Sequence, residues 1–280
     1  MVTKLVVGID GSDGSRAALH WAAQRVGREI HAVFAFSPGV ELLVAGIQID
    51  TTHALDRARE RLRSEWIADA GIPIEDVRSH VIEDSPARAL IDTAHRLDAG
   101  AIVVGASGHT HVAGLVGGNV GRLIHLSDIP VVVVPSSPAP SSNDSESRVV
   151  VGISGQPWRD RRLVDWARTA AAGHPLQLVH ALPPDMEPSR NVSTYDPEVH
   201  ALEDIDRLLD RAGPDDCGKV VYDDPISALI GPTSDGASLI VIGTHHSTRL
   251  GGFLTGAIAQ HLPAVSPCPV ALIPLEFPAA

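Results

Sequence analysis

The chain has 280 residues, 44% hydrophobic and 20% charged, which suits one large or two ordinary globular domains with a sizeable core. A formal net charge of -12 excludes the broad basic field that nucleic acid or an anionic membrane would require, while leaving room for one small anion held by backbone N–H groups. Aromatics at 4% leave the core to Val, Ile, Leu and Ala, a bias that suits parallel sheets covered on both faces.

The opening MVTKLVVGIDGS meets a glycine turn after a very short apolar run, and no apolar stretch approaches the ~20 residues of a membrane helix. A cytoplasmic protein is expected. KLVVGID reads as a short buried strand, followed by a helix over Ser12 to Val26 with Ser12 or Ser15 as N-cap. Ala18, Trp21, Ala22 and Arg25 recur there at helical spacing. EIHAVFAFS is a second strand. Thr51 to Gly71 is a long charged helix with Leu55, Leu62, Trp66 and Ile67 favouring one face. VRSHVIE is a third strand, and PARALIDTAHRL a helix with Pro86 at or near its first position. AIVVGAS is a fourth strand, then comes a Gly-rich loop, a helix from about Asn119 to Leu126, and a last strand PVVVVP.

The second half repeats the first. LVVGIDGSDGSRAALHWAAQ, from Leu5, matches VVVGISGQPWRDRRLVDWARTAA, from Val149, with Gly8 on Gly152 and Trp21 on Trp166. DAGAIVVGASGH matches DGASLIVIGTHH, and SDIPVVVVP matches SPCPVALIP, in the same order. Five strands alternating with four helices imply a doubly wound parallel sheet in each half, α/β in class, with helices on both faces. The expected domains are 1–137 and 148–280, joined over 138–147 by a Ser- and Pro-rich linker.

Ligands of such sheets lie beyond the carboxyl ends of the strands where strand order reverses, between the first and fourth strands. The loop in VVGASGHTHVAGLVGGNVGRLI, Val103 to Ile124, follows the fourth strand. Gly105 and Gly108 would let backbone approach a ligand closely. Gly117 and Gly118 would turn the chain into a helix whose first free N–H groups, at Asn119, Val120 and Gly121, face an anion. The loop is neither a Walker A nor the dinucleotide fingerprint.

Gly105, two residues, Gly108, nine residues, then Gly118-Asn119-Val120 resembles the G-x2-G-x9-G-(S/T) signature of the universal stress protein family. VVGIDGS, the tandem halves and DIPVVVVP resemble that family too, in particular its two-repeat actinobacterial members. The resemblance implies an adenine-nucleotide α-hydrolase-like (Rossmann-like) fold, often dimeric through the last strand, with ATP bound in some members. It implies that Asp10 lies beside ribose and adenine, with Gly8 and Ile9 as the adjoining wall. Ala35 would be an adenine contact, and Gly105, Gly108, Gly118, Asn119 and Val120 would cradle the phosphates. Asn119 departs from the family's hydroxyl, but as a good N-cap with an amide donor it can still serve a phosphate. Mg2+ could bridge the phosphates.

The second half fits poorly. Ser154 stands at the acidic position, His246 at the second glycine and Ala257 at the hydroxyl, so a weak or absent site is expected there. Other residues read as structure. His109, His111, His245 and His246 are solvated loop histidines rather than a metal site. Asp84-Ser85-Pro86 and Asp223-Asp224-Pro225 cap helices, and Arg57, Arg59, Arg61 and Arg63 form a solvated face. Cys217 and Cys268 are too few for a disulfide framework and read as buried or idle thiols. No nucleophile with an activating base stands out, so the expected function is a nucleotide-dependent stress-response regulator with at most slow ATP hydrolysis, acting on an unidentified protein partner. The alternatives are a dimerisation or interaction module without nucleotide, and a binder of AMP or cyclic AMP.

Overall fold

A computed structural model describes residues 3–25, 28–36, 51–70, 72–106, 118–137, 147–171, 173–186, 196–209, 213–233, 237–244 and 253–275. Contacts divide the chain into two compact units, Met1–Ser137 and Pro138–Ala280. In the first unit β1 (Thr3–Gly8), α1 (Asp13–Ala23), β2 (Arg28–Phe36), α2 (Thr51–Arg61), β3 (Val77–Glu83), α3 (Pro86–Leu97), β4 (Ala101–Gly105), α4 (Gly118–Leu126) and β5 (Val131–Val134) alternate. Its strands pair in parallel in the order β3-β2-β1-β4-β5. The second unit runs β6 (Arg148–Ile153), α5 (Pro157–Ala170), β7 (Leu176–Leu182), α6 (Pro197–Leu209), β8 (Cys217–Tyr222), α7 (Pro225–Thr233), β9 (Ala237–Thr244), α8 (Phe253–Val265) and β10 (Val270–Pro274). Its parallel order is β8-β7-β6-β9-β10. In both units the first and fourth strands are neighbours and strand order reverses between them.

The buried runs explain the strands. Val131 to Val134 on β5 are all buried, as are Ala101 to Val104 on β4, so side chains on both faces are covered. Helix α1 starts where Ser12 accepts a hydrogen bond from Ser15 N at 3.1 Å, and it buries the small residues Ala18 and Ala22 together with Leu19. The Arg25 guanidinium stacks 4.2 Å over the Trp21 ring, and burial, with Arg28 nearby, lowers its pKa to about 10.

The charged helix expected to run to Gly71 is α-helical only over Thr51–Arg61. It widens into a π-helical segment, Leu62–Ile67, and ends in a tight turn, Ala68–Ala70. Leu62 and Ile67, five residues apart, are both fully buried. An α-helix would separate them by about 140° around its axis, and the wider turn brings both to the core. Arg57, Arg59, Arg61 and Arg63 are exposed.

The duplication extends to hydrogen bonds. Before β5, the buried Ser127 hydroxyl donates to Ile129 O at 2.7 Å and accepts from Ile129 N at 3.1 Å. Before β10, Ser266 donates to Cys268 O at 2.6 Å and accepts from Cys268 N at 3.2 Å. Each serine N–H also closes the preceding helix, on Leu123 O and Leu262 O, at 2.9 Å. These latches satisfy buried backbone at the sharp entry into the last strand.

A second buried polar feature lies in the first unit. His31 on β2 and His80 on β3 share a hydrogen bond of 2.9 Å between Nδ1 and Nε2, and His31 is 2% exposed. Burial lowers the pKa of both imidazoles; Glu29 opposes this at His31, while Arg78, Lys4 and Arg96 add to it at one ring or the other.

Ser127→Ala and Ser266→Ala each leave a buried N–H and C=O unpaired. We expect each to lower the unfolding free energy by about 1–3 kcal/mol in urea titration; a loss below half of that range would refute the latch role. For the histidines the sign follows from depressed folded-state pKa values. Both states are neutral above the ordinary pKa near 6.5, and below it the unfolded chain takes up protons first. Wild-type stability relative to a His31→Leu/His80→Leu double variant should therefore fall as pH drops from 7.5 to 5. A pH-independent difference would contradict it.

Candidate functional site

The reversal of strand order in the first unit brings Gly8, Ile9 and Asp10 at the end of β1, Ala35 on β2 and Gly105 at the end of β4 to the same edge of the sheet. Ile9 is 4% exposed, and its N–H donates to Val33 O at 2.9 Å, extending β1 beyond Gly8. Asp10 is partly exposed. Its Oδ1 accepts from Ser12 N at 3.0 Å, which holds the carboxylate on the turn between β1 and α1. Helix α4 begins at Gly118, one residue before the expected start, with Gly118 and Asn119 exposed and Val120 partly so. Gly108 and the histidines His109 and His111 lie outside the described residues, as do His245 and His246.

The glycines of this edge differ in what surrounds them. A Cβ at Gly118 would meet nothing within 4 Å. A Cβ at Gly105 would instead lie 2.6 Å from Gly14 O and 2.7 Å from Gly14 Cα, so this glycine lets the start of α1 rest directly on β4. A Cβ at Gly8 would point to the opposite face, 3.1 Å from Val104 Cγ1 and 3.2 Å from Leu90 Cδ1 of α3. Packing of α1 thus already requires Gly105, and packing of α3 leaves a tight fit at Gly8, both glycines that the sequence assigns to a ligand.

Gly11 adds a feature that the sequence did not reveal. It adopts φ +82°, and a Cβ there would come within 2.7 Å of the Trp66 indole. Trp66 meets Phe34 edge to face, with centroids 5.0 Å apart, and the Arg61 guanidinium lies 5.2 Å above its ring. The partly exposed Trp66 and Phe34 therefore wall the β1–α1 turn on the side of α2. Read as one apolar residue on a helix face, Trp66 gave no hint of this; Gly11 beside Asp10 was the available signal.

The second unit uses the same frame differently. Gly152 packs as Gly8 does, with Ile242 and Leu229 at 3.2 Å from a Cβ. At Gly243, the counterpart of Gly105, a Cβ would collide with the side chain of Leu275, and the nearest α5 atom is Leu163 Cδ1 at 3.7 Å. Leu275 is 3% exposed, and its N–H donates to Thr244 O at 2.9 Å. Ser154, at the acidic position, has its N–H and hydroxyl turned to Asp160 Oδ1, at 2.9 and 3.1 Å, while Gln156 N donates to Asp160 Oδ2 at 2.9 Å. Asp160 is 1% exposed, and burial raises its pKa against these hydrogen bonds. A carboxylate from the first turn of α5 thus replaces the one missing at 154, and it faces inward. Gly256 and Ala257 fall within α8, which begins at Phe253, instead of opening it as Gly118 and Asn119 open α4.

The remaining candidates resolve as structure. Ser85 is the N-cap residue of α3 but its side chain makes no cap bond; Ser85 N donates to Asp84 Oδ1 at 2.6 Å. Asp224 does cap α7, accepting from Ile226 N and Ser227 N at 3.0 and 3.1 Å; the Ser227 hydroxyl and then these N–H groups lower its pKa. Cys217, expected as a buried or idle thiol, is exposed on β8. Cys268 is buried, which pushes its pKa up to about 11. Among the described residues no group of three His, Cys, Asp or Glu could hold a metal ion.

Replacing Gly105 by Ala should lower stability by about 1–3 kcal/mol through overpacking. Gly118→Ala should leave the thermal midpoint nearly unchanged. Equal effects of the two in a melting experiment would contradict the packing difference.

The universal stress protein family matches the chain twice, over residues 1–135 and 147–274. Universal stress proteins of Mycobacterium tuberculosis and Mycobacterium bovis are 27% identical over 281 residues, covering 91% of this chain and 92% of theirs. The structure resembles a universal stress protein from Archaeoglobus fulgidus with a TM-score of 0.67, at 17% identity, over 97% of this chain and 98% of that one. A universal stress protein solved in complex with cAMP matches 48% of this chain and 98% of its own, at 24% identity and a TM-score of 0.37. With both sheets built in the same strand order and both halves matched, the chain belongs to the universal stress protein family as a tandem of two such domains.

Proposed function

We propose that the first unit binds ATP at the edge formed by β1, β2 and β4, and that the protein acts as a cytoplasmic, nucleotide-dependent regulator of the stress response. In this reading Asp10 accepts a hydrogen bond from a ribose hydroxyl, Gly8 and Ile9 form the adjoining wall, and Ala35 contacts adenine. Gly105, Gly108, Gly118, Asn119 and Val120 cradle the phosphates, with Mg2+ bridging them. Residues 138–147 link this unit to a second one that has lost the site. Homodimerisation through the last strands and an unidentified protein partner complete the proposal.

The observation that supports it most is the combination of an Asp10 carboxylate at the strand reversal with an exposed, sterically open helix start at Gly118. Free N–H groups at a helix start favour an anion. The buried Asp160 speaks against a second nucleotide: it consumes the N–H groups of Ser154 and Gln156 that an anion would use.

Calorimetric titration of ligand-stripped protein tests the reading. We expect one ATP per chain, weakened about tenfold or more by Asp10→Ala, the cost of one charge-assisted hydrogen bond. Asn119→Ser should tighten ATP more than AMP, because only the longer phosphate chain reaches α4. Absence of heat with ATP, AMP and cyclic AMP alike ends the reading and favours an interaction module. Two equivalents per chain would overturn the account of the second unit.

A further inference from the structure

In the second unit the strand reversal between β6 and β9 carries a cavity of about 140 Å³. Val179 and Ala181 of β7, Leu229 of α7, Ile242 of β9, Ile258 of α8 and Leu275 wall it. It occupies the place in this sheet that the candidate nucleotide edge occupies in the first. The chemistry is different. Among the described residues that line it the one hydroxyl, that of Ser154, is committed to Asp160 Oδ1, as is the Ser154 N–H. The buried Asp160 carboxyl already fills the role of an anion at the start of α5, where it also takes the Gln156 N–H. Beside it His180 and Asp204 face Gly155: a Cβ there would lie 3.2 Å from His180 Cε1 and 3.4 Å from Asp204 Oδ2. The pKa of His180 is lowered by burial, against the pull of Asp160 and Asp204. Asp204 is paired with Arg207 at 2.9 Å and Asp160 is 1% exposed, so both carboxyl groups near this turn are already engaged.

The apolar walls are themselves built in. Gly243 has no Cβ, which is what admits Leu275 between β9 and Leu163 of α5. The corresponding residue after the closing proline of the first unit is Ser136. The exchange of serine for leucine turns a polar border into an aliphatic one. An enclosed aliphatic cavity of about 150 Å³ takes up benzene; this one is similar in volume but open to solvent on one side, so it suits one small ring with an edge left in water.

We propose that the second unit is a binding site for a small, uncharged, mainly apolar ring compound. It is distinct in chemistry from the nucleotide reading of the first unit and does not depend on it. The ring lies in the cavity lined by Ala181 and Ile258, where the Ser154 donors that an anion would need are already taken by Asp160.

Methyl NMR of the full chain titrated with indole, and separately with ATP, tests this. Indole should shift the methyl signals of Leu229, Ile242 and Ile258 saturably, and equally so in an Asp10→Ala variant. Ala181→Phe, which fills the cavity from β7, should weaken indole at least tenfold while the protein still melts cooperatively. Ile258→Trp, filling it from α8, gives the same readout if the first variant does not fold. No saturable shift with indole overturns the proposal, as do shifts confined to the first unit or unchanged affinity in a folded filled variant. ATP shifting these same methyls also overturns it. Failure of ATP to bind anywhere refutes only the nucleotide reading, and the indole result stands by itself.

Discussion

Among the described glycines of the first unit, Gly105 is the one whose Cβ would meet the nearest neighbour, the backbone of Gly14. Gly105 ends β4 and Gly14 lies in the first turn of α1, and a single Cβ on Gly105 would press into the Gly14 backbone. With α1 held this near, the turn from β1 has almost no freedom. Gly11 takes a left-handed conformation, Ser12 caps the helix, and Asp10 is tied by one carboxylate oxygen to Ser12 N. Each of these residues follows from how tightly the helix sits. The position of the one acidic group at the strand reversal is therefore a packing consequence before it is a functional one.

The second unit shows what happens when that constraint is relaxed. Arg159 and Leu163 on α5 replace the small side of α1, the helix no longer rests its backbone on β9, and Leu275 enters the gap. The residue freed by this change is Asp160, whose carboxyl turns inward to bind the N–H groups of Ser154 and Gln156. Burying a carboxyl is costly unless it is hydrogen-bonded, and three donors meet that requirement. One fold thus carries two chemistries at the same topological position: a carboxylate facing outward beside an open helix start, and a carboxyl facing inward beside an apolar cavity.

Polar groups inside the sheet layers follow the same rule. Ser127 and Ser266 each satisfy both backbone groups of the turn into the last strand, and the same bonds form although Asp128 and Ile129 are replaced by Pro267 and Cys268. His31 and His80 share one hydrogen bond across β2 and β3, while His31 Nε2 lies 3.2 Å from Glu29 Oε1. Nothing in a single-sequence reading connects two histidines 49 residues apart, because strand register decides that they meet.

The sequence by itself determined the class of fold, the five parallel strands described in each half, and the duplication. Continuous apolar runs, helical spacing and matched blocks such as SDIPVVVVP and SPCPVALIP are local signals, and local signals survive in one dimension. It also singled out Asp10 and Gly118. What it could not tell was why each glycine is there. Gly105 and Gly243 occupy matching positions in matching motifs, yet one is kept free of a Cβ by the backbone of a helix and the other by the side chain of a leucine after the final strand. The same holds for Trp66 over Gly11 and for Asp160 beneath Ser154. Such contacts join residues far apart in the chain or on different elements. Only the distance between packed layers decides them, and that distance is a property of the tertiary structure.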